Sequence, residues 1–553
     1  MARGKGRRGS KLEELEGTQD PRAPLDGATF LKAAQPVLRQ LDKDLLERAK
    51  ASPAVTAALK ARHAREKQEK RTAASFAEWQ RQLIQQVGAA WLLSCVFVRT
   101  LEDRGLLDQA RIAGPGAADS ERMFFETAPS LTERDYLRTV FRELSRLPAG
   151  ADLFDAEHNG GGTVWSGVDD SPRSHAVPAP STGRTTLVNP VWLLGLSAEA
   201  TRELLRLFRT PSADAPAFRF GQPDTRFLGD LYQDLDEDVR KRFALLQTPR
   251  FVERFILDRT LEPAIARFGL DEATVIDPTC GSGHFLLGAF ERLLDHRRNK
   301  EPDLDVRKAA HKALAQVHGA DVNPYAVAIA RFRLTLAFLE VGGYGRLKDA
   351  PKLPTDNLVV ADSLLHNPQL EQMALHETKG QSAKDWLGRE YALDDEQGAR
   401  RVLGQTYAAV VGNPPYITPK DAVLRDRYRE AYVSAAMQFS LAAPFTERFF
   451  QLARKGGSVG MITANSFMKR EFGKKLIEEY LPEVNLHTIV NTSGAYIPGH
   501  GTPTVLLFGT HEDPVGDQVR VVLASRGEPT TPKDPAQGQV WSSIAEHTDD
   551  DFF

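Results

Sequence analysis

From about Phe243 onward, short β-branched runs alternate with amphipathic helical stretches, and that alternation constrains the fold more than any other feature of the chain. The runs read "TVIDP", "QVHGADV", "NLVVAD", "YAAVVG", "GSVGMIT" and "TVLLFGT". Strands that each lead into a helix return side by side, so the pattern predicts a mostly parallel, doubly wound α/β sheet. In such sheets ligands bind beyond the carboxyl ends of the strands. The residues that follow each run are therefore the first candidates for function.

Four strand ends carry unusual chemistry. The run Ala408–Gly412 stops in Asn413-Pro414-Pro415-Tyr416. Prolines cannot continue a ladder, and each restricts the residue before it, so the chain forms a stiff corner that holds one amide and one ring. After "VID", the segment Asp277-Pro278-Thr279-Cys280-Gly281-Ser282-Gly283 makes an acid and a glycine turn leading into a helix near His284. Gly281 and Gly283 allow positive φ and close approach of a ligand to the backbone. A dinucleotide fingerprint needs a third glycine and an acid roughly 20 residues on. Here Leu286 stands at the third-glycine position and Asp321 lies 40 residues past Gly281, which disfavours NAD. Asp321 ends the next run, and its two oxygens suit a pair of ribose hydroxyls. Asp362 ends the one after, where a carboxylate or its neighbouring backbone can take an exocyclic amine. Taken singly, Asp321 also reads as an acid favoured by a helix N-terminus, and Asp362 as a loop acid or cap.

Taken in order, these four elements resemble the S-adenosylmethionine-dependent N6-adenine DNA methyltransferases. Asp277–Gly283 looks like that family's cofactor loop and Asn413–Tyr416 like its catalytic tetrapeptide. Thr248-Pro249, in "LLQTPRFVERFIL", is similar to the segment that covers the methionine end of the cofactor. It precedes the glycine loop, which is the order of the gamma class. The resemblance spans about Phe243 to Phe508. It implies a Rossmann-like sheet that uses S-adenosyl-L-methionine, with Thr248, Pro249, Asp277, Pro278, Gly281, Gly283, Asp321 and Asp362 at the cofactor. It also implies double-stranded DNA as substrate, with the target base flipped out.

The tetrapeptide suits that chemistry. An adenine amine is a weak nucleophile because its lone pair is delocalised into the ring. The Asn413 side-chain oxygen and the Pro414 carbonyl can both accept from it, and Tyr416 can stack on the base. In "GAYIPGHGTPTVLLF" the family often places an aromatic residue just before the proline; this chain has Ile497 there, with Tyr496 one residue earlier. Either Tyr496 swings in or the clamp on the second face is weak. Alternatives within the same reading are a protein-glutamine methyltransferase, which also uses Asn-Pro-Pro-Tyr, and N4-cytosine methylation, whose enzymes usually have Ser where Asn413 stands. A cofactor-binding scaffold in a defence complex is the non-enzymatic alternative.

The region before the sheet adds a narrower likeness. "FVRTLEDRGLL" and "FLGDLYQDLDEDVRKRFALLQTPRFVERFIL" look like the PglX family of BREX phage-defence methyltransferases and like fused restriction–methylation enzymes. Those families carry a large recognition region after the catalytic domain, whereas 43 residues follow Thr510 here. The expectation is a chain that is cut short or relies on a separate specificity subunit or other defence-system proteins.

Composition bounds the rest. The 553 residues accommodate two or three domains, and 26% charged with 41% hydrophobic residues is a globular profile. The expected organisation is a basic disordered tail over 1–25, a helical domain over 26–155 and a flexible Gly/Ser/Pro-rich loop over 156–188. A helical connector over 189–242, the catalytic domain over 243–511 and a polar, acidic segment over 512–553 complete it. A helix opens at Ser75-Phe76-Ala77-Glu78, a capping box, and runs to Arg104 before Gly105. The longest apolar run, Ala89–Val98, is about half of what spans a bilayer. Cys95 and Cys280 make neither a disulfide framework nor a zinc site, so a cytoplasmic setting without membrane partners is expected. The formal net charge of −3 means that any attraction to nucleic acid must come from local patches. Arg3, Lys5, Arg7 and Arg8, and the run Arg62–Arg71, are the visible ones, though such runs are also common as tails and solvated helix faces.

Overall fold

The computed structural model describes residues 27–68, 72–154, 190–211, 214, 216–221, 224–235, 247–366, 396–499 and 501–550. The tail expected over 1–25 and the loop expected over 156–188 lie outside the described residues, as do 236–246 of the connector.

The helices used below are α1 (Gly27–Ala51), α2 (Pro53–Gln68), α3 (Phe76–Asp103), α4 (Ala117–Thr127), α5 (Glu133–Ser145), α6 (Ala198–Phe208) and α7 (Arg226–Leu235). After them come α8 (Arg250–Asp258), α9 (Leu261–Phe268), α10 (His284–Lys300), α11 (Val306–Ala315), α12 (Pro324–Val341), α13 (Glu396–Leu403), α14 (Ala422–Ala431), α15 (Ala442–Leu452) and α16 (Gln539–His547). The strands are β1 (Val275–Asp277), β2 (Val317–Asp321), β3 (Leu358–Val360), β4 (Tyr407–Gly412), β5 (Ala453–Ala464), β6 (Asn485–Asn491), β7 (Thr504–Thr510) and β8 (Arg520–Leu523).

α3 starts where the sequence places it. Ser75 Oγ accepts from the Glu78 amide at 3.3 Å, and the helix ends one residue before Arg104, ahead of Gly105 at φ +67°. By length and composition it is apolar enough to cross a bilayer, but most of its apolar stretch is buried inside this fold. Phe97 on α3 stacks on Phe332 of α12 at 4.2 Å, so the helical region and one face of the sheet share a single continuous core. A second core, built on α13, α14 and α15, covers the other face.

The sheet runs β3-β2-β1-β4-β5-β7-β6-β8. The first five strands are mutually parallel, and β7 is antiparallel to both β5 and β6. β1 and β4 are buried along their whole length, as expected for a parallel sheet covered on both faces. The strand order reverses between β1 and β4, where Val275 and Ile276 pair with Ala409 and Val410. That switch point opens a crevice at the carboxyl edge. It lies between the glycine turn and the Asn-Pro-Pro-Tyr corner.

The polar segment after the last expected strand adds to the same unit. β8 pairs parallel with β6, and Trp541 of α16 packs edge-on against Phe251 at 4.6 Å and Phe255 at 5.4 Å on α8. Trp541 and Ile544 supply the burial that a mostly polar stretch otherwise lacks.

Candidate active site

The glycine turn is shaped by its own side chains. Asp277 Oδ1 accepts from the Thr279 amide at 2.9 Å and the Thr279 hydroxyl at 3.1 Å, which folds the chain back at the end of β1. Gly283 sits at φ +84° as the N-cap of α10, and a Cβ there would lie 2.9 Å from the Ala330 Cβ of α12. Only glycine combines that dihedral with that contact. At Gly281 a Cβ would meet nothing within 4 Å, so the backbone faces open crevice. Burial pushes the Asp277 carboxyl up to about 8 and raises the Cys280 thiol, which keeps the thiol protonated.

The second corner follows β2. Asp321 Oδ2 accepts from the Gly281 amide at 3.0 Å and Oδ1 from the Asn323 amide at 2.8 Å. Asn323 caps α12 by accepting from the Tyr325 amide at 3.0 Å, with Pro324 in the first turn. Each Asp321 oxygen keeps acceptor capacity beyond these two bonds. Burial pushes this carboxyl up to about 6, with the two amides pulling the other way.

Asp362, after β3, is buried and used on both oxygens: Oδ1 accepts from the Leu364 amide at 2.9 Å and Oδ2 from the Tyr428 hydroxyl at 2.6 Å. The neighbouring Ser363 donates its hydroxyl to the Pro278 carbonyl at 2.7 Å, tying the third strand's loop to the first. Beneath them lies the buried Arg448 of α15. It donates to the carbonyls of Ser363 at 2.9 Å, His366 at 2.7 Å and Leu403 at 2.8 Å.

The fourth corner closes on the first. A Cβ on Gly412 would come within 2.6 Å of Asp277 Oδ1 and 2.9 Å of Thr279 Oγ1, so glycine brings the end of β4 flush against the β1 loop. One residue on, Asn413 Nδ2 donates to Thr248 Oγ1 at 3.2 Å, and Asn413 Oδ1 accepts from the Tyr416 hydroxyl at 2.6 Å. Burial pushes the Tyr416 phenol up, so it remains a donor. Thr248 is itself buried, and Pro249 caps α8 with its carbonyl accepting from Val252 and Glu253. The segment before the glycine loop is thus in direct contact with the tetrapeptide 165 residues later. Pro414 is buried, while Pro415 and Tyr416 remain half-buried.

The rim after β6 separates two neighbours. Ile497 is buried in the core, whereas Tyr496 is 41% exposed. Among the described residues no cluster of three His, Cys, Asp or Glu has the makings of a metal site.

Several positioning residues carry no motif. Arg333, buried on α12, donates to the Ser282 carbonyl at 2.6 Å inside the glycine turn and to the Thr225 hydroxyl at 3.2 Å just before α7. Gly229 of α7 packs so closely that a Cβ would sit 2.6 Å from Ser282 Oγ. The only hint of Arg333 in the sequence is that it is one of two arginines, with Arg331, inside the mostly apolar "VAIARFRLTLAF"; Gly229 gives none beyond being a glycine inside a helix.

A sheet with this order, with a glycine turn and an Asn-Pro-Pro-Tyr corner on adjacent strand ends, defines the class of Rossmann-like methyltransferases. Residues 315–497 match the family described as Eco57I restriction-modification methylase. It is 39% identical over 553 residues to the adenine-specific methyltransferase PglX of Streptomyces coelicolor, covering 95% of this chain and 43% of that protein. It is also 26% identical over 265 residues to the type II restriction enzyme and methyltransferase RM.Eco57I of Escherichia coli, covering 43% of this chain and 24% of that one. The chain thus spans less than half the length of the curated relatives it matches. Among solved structures, the type ISP restriction-modification enzyme LlaGI in complex with a DNA substrate mimic superposes with a TM-score of 0.51 at 13% identity, covering 91% of this chain and 36% of that one. The type ISP enzyme LlaBIII bound to DNA gives 0.50 at 12%, covering 90% and 30%. At those identities the likeness is one of fold.

Proposed function

We propose that the chain is the catalytic portion of an S-adenosylmethionine-dependent DNA methyltransferase acting on the N6 amine of a flipped-out adenine, within a restriction–modification or phage-defence system. The observation that carries this reading is the direct contact of the two corners: Gly412 lies against Asp277 and Thr279, and Asn413 follows it in the crevice. The names of the relatives above support the same substrate.

The residues present fit the cofactor. Gly281 opens onto free space, Asp321 offers two oxygens with spare acceptor capacity for a ribose diol, and the loop after β3 carries Asp362 for an exocyclic amine. Thr248 and Pro249 lie beside the tetrapeptide, suited to enclose the amino-acid end. When bound, this cofactor supplies a methyl group on a positively charged sulfur.

The chain's own part concerns the acceptor. Asn413 Oδ1 and the Pro414 carbonyl take the two protons of the adenine amine, turning its lone pair out of the ring plane. Thr248 fixes the far end of the Asn413 amide, so the acceptor oxygen is positioned in advance. That oxygen accepts from the Tyr416 hydroxyl, which must share it or let it go as the base enters. Tyr416 then offers its ring to one face of the purine and Tyr496, from the exposed rim, to the other. Positioning and electrostatics carry the step, and no covalent intermediate is required.

The purified chain, incubated with methyl-labelled S-adenosylmethionine and mixed-sequence duplex, tests the reading. Label recovered as N6-methyladenine is the expected result. Label on protein glutamine, or cofactor binding without transfer to any substrate, overturns it.

A further inference from the structure

A cavity of about 440 Å³ is lined on one side by the Thr248-Pro249 segment. Its wall includes Arg226 of α7, Arg250 and Arg254 of α8, Pro498 from the rim after β6, and Asp534 from the C-terminal segment. Neither the glycine turn nor the tetrapeptide lines it; Thr248 is the shared partition, bonded on its other side to Asn413. The chamber thus adjoins the active crevice, with which it shares the Thr248-Pro249 segment.

Its charge is strongly one-sided. Three guanidinium groups face one carboxylate, in a chain whose formal charge is −3. The arginines are only loosely committed. Arg226 lies 3.8 Å from Glu253, whose carboxyl burial pushes up to about 7, and Arg250 lies 3.7 Å from Glu291, with both of that pair more than half exposed. No carboxylate among the described residues pairs with Arg254, which is exposed. Arg250 and Arg254 are four residues apart on one helix and so project from the same face. Phe251 also lines the chamber but is already packed edge-on against Trp541 at 4.6 Å. The chamber therefore offers cations and hydrogen-bond donors with its aromatic ring engaged, which suits a backbone phosphate better than a nucleobase.

From this arrangement we infer that the chamber holds a phosphodiester of the DNA strand that carries the target base, next to the extruded nucleotide. The inference rests on the proposed function above. A base rotated out of a duplex stays attached to its own sugar and phosphates. Asn413 bonds Thr248, and Thr248 also lines the cationic chamber, so a strand whose base lies against Asn413 has the chamber within reach. Contacts of this kind set register and affinity without reading sequence. They also supply local positive charge to a chain that lacks it globally.

The test uses the full chain and a fluorescein-labelled mixed-sequence duplex, with affinity read by anisotropy across a salt series. Arg254→Gln, an exposed change, should weaken binding about tenfold near 0.1 M salt and lower the slope of log K against log salt by about 1. Asp534→Asn removes the opposing charge, can still accept from the Ala536 amide that Asp534 Oδ1 now holds at 3.0 Å, and should tighten binding several-fold. Cofactor affinity should be unchanged in both. If neither variant moves the affinity or the slope, the inference is overturned. It is also overturned if millimolar inorganic phosphate stabilises the wild type through Arg254 while duplex affinity ignores both substitutions, since the site would then serve a free anion. Failure of the two ideas is distinguishable: methyl transfer with an unmoved salt slope sinks only the phosphate site, and an Arg254-dependent slope without transfer sinks only the enzymatic reading.

Discussion

The two sides of the crevice are built differently. On the proposed cofactor side, each carboxylate that closes β1, β2 or β3 is held by at least one main-chain amide: Thr279 on Asp277, Gly281 and Asn323 on Asp321, Leu364 on Asp362, with the hydroxyls of Thr279 and Tyr428 adding to the first and last. On the acceptor side the bonds run between side chains, with Asn413 strung between the hydroxyls of Thr248 and Tyr416 and Tyr496 standing in solvent. Main-chain bonds fix a geometry that persists with or without a ligand. Bonds between side chains can be exchanged for bonds to a substrate at little cost, because each broken bond is replaced. Under the proposed function, the difference means that the cofactor side is finished in advance, while the acceptor side is completed by the base that enters it.

Substitutions should divide along that line. The largest effect is expected for Asn413→Ala, which removes the oxygen that takes an amine proton. Transfer should fall by about 10³-fold or more in kcat, with cofactor affinity by calorimetry changed less than about twofold. Comparable loss of both would erase the distinction between the sides. Asp321→Ala should do the reverse, raising the cofactor Kd about 100-fold through two lost bonds to a charged acceptor, while duplex affinity by anisotropy holds.

Acidity offers a gentler probe of the same carboxylate. With Asp321 pushed up to about 6, its ionised form is lost as pH falls through that value, so cofactor affinity should drop about fivefold between pH 6 and 5. Asp321→Asn should flatten that profile. For folding the sign is opposite. A carboxyl raised above its ordinary 3.8 favours the folded state when protonated, so this contribution is fully present below about pH 3.8 and is lost as pH rises through about 6. The smallest effect is expected for Tyr416→Phe. It keeps the ring and frees Asn413 Oδ1 from its hydroxyl partner, so kcat should change by no more than about tenfold in either direction, whereas Tyr416→Ala should lose far more. A large loss in the phenylalanine variant would mean that the hydroxyl, rather than the ring, holds the base.

The same division governs what could be read from the sequence. The strand runs, the glycine turn and the proline corner are local: their dihedral demands are met by residue types within a few positions, and each stands where the alternation of runs places it. Asp321 and Asp362 were legible because they end such runs. Arg333, Gly229 and Arg448 were not, since each acts on a loop that is distant in sequence, 51 residues in the case of Arg333 and Ser282. An arginine within an apolar helix has no local signature that separates a surface charge from a buried clamp. The resemblance placed Thr248 near the cofactor, but its bond to Asn413, 165 residues away, has no signal in either residue. β8 and α16 escaped for another reason: four residues of strand and one tryptophan carry little periodicity within a polar stretch.

Because the glycine turn and the proline corner hang from neighbouring paired strands, the spacing of the strand ends they leave is set by the ladder, about 4.8 Å, which is a constant of peptide chemistry. A ruler of that kind does not stretch when outer loops are exchanged. Outer loops of such a fold can therefore vary without moving these two corners apart.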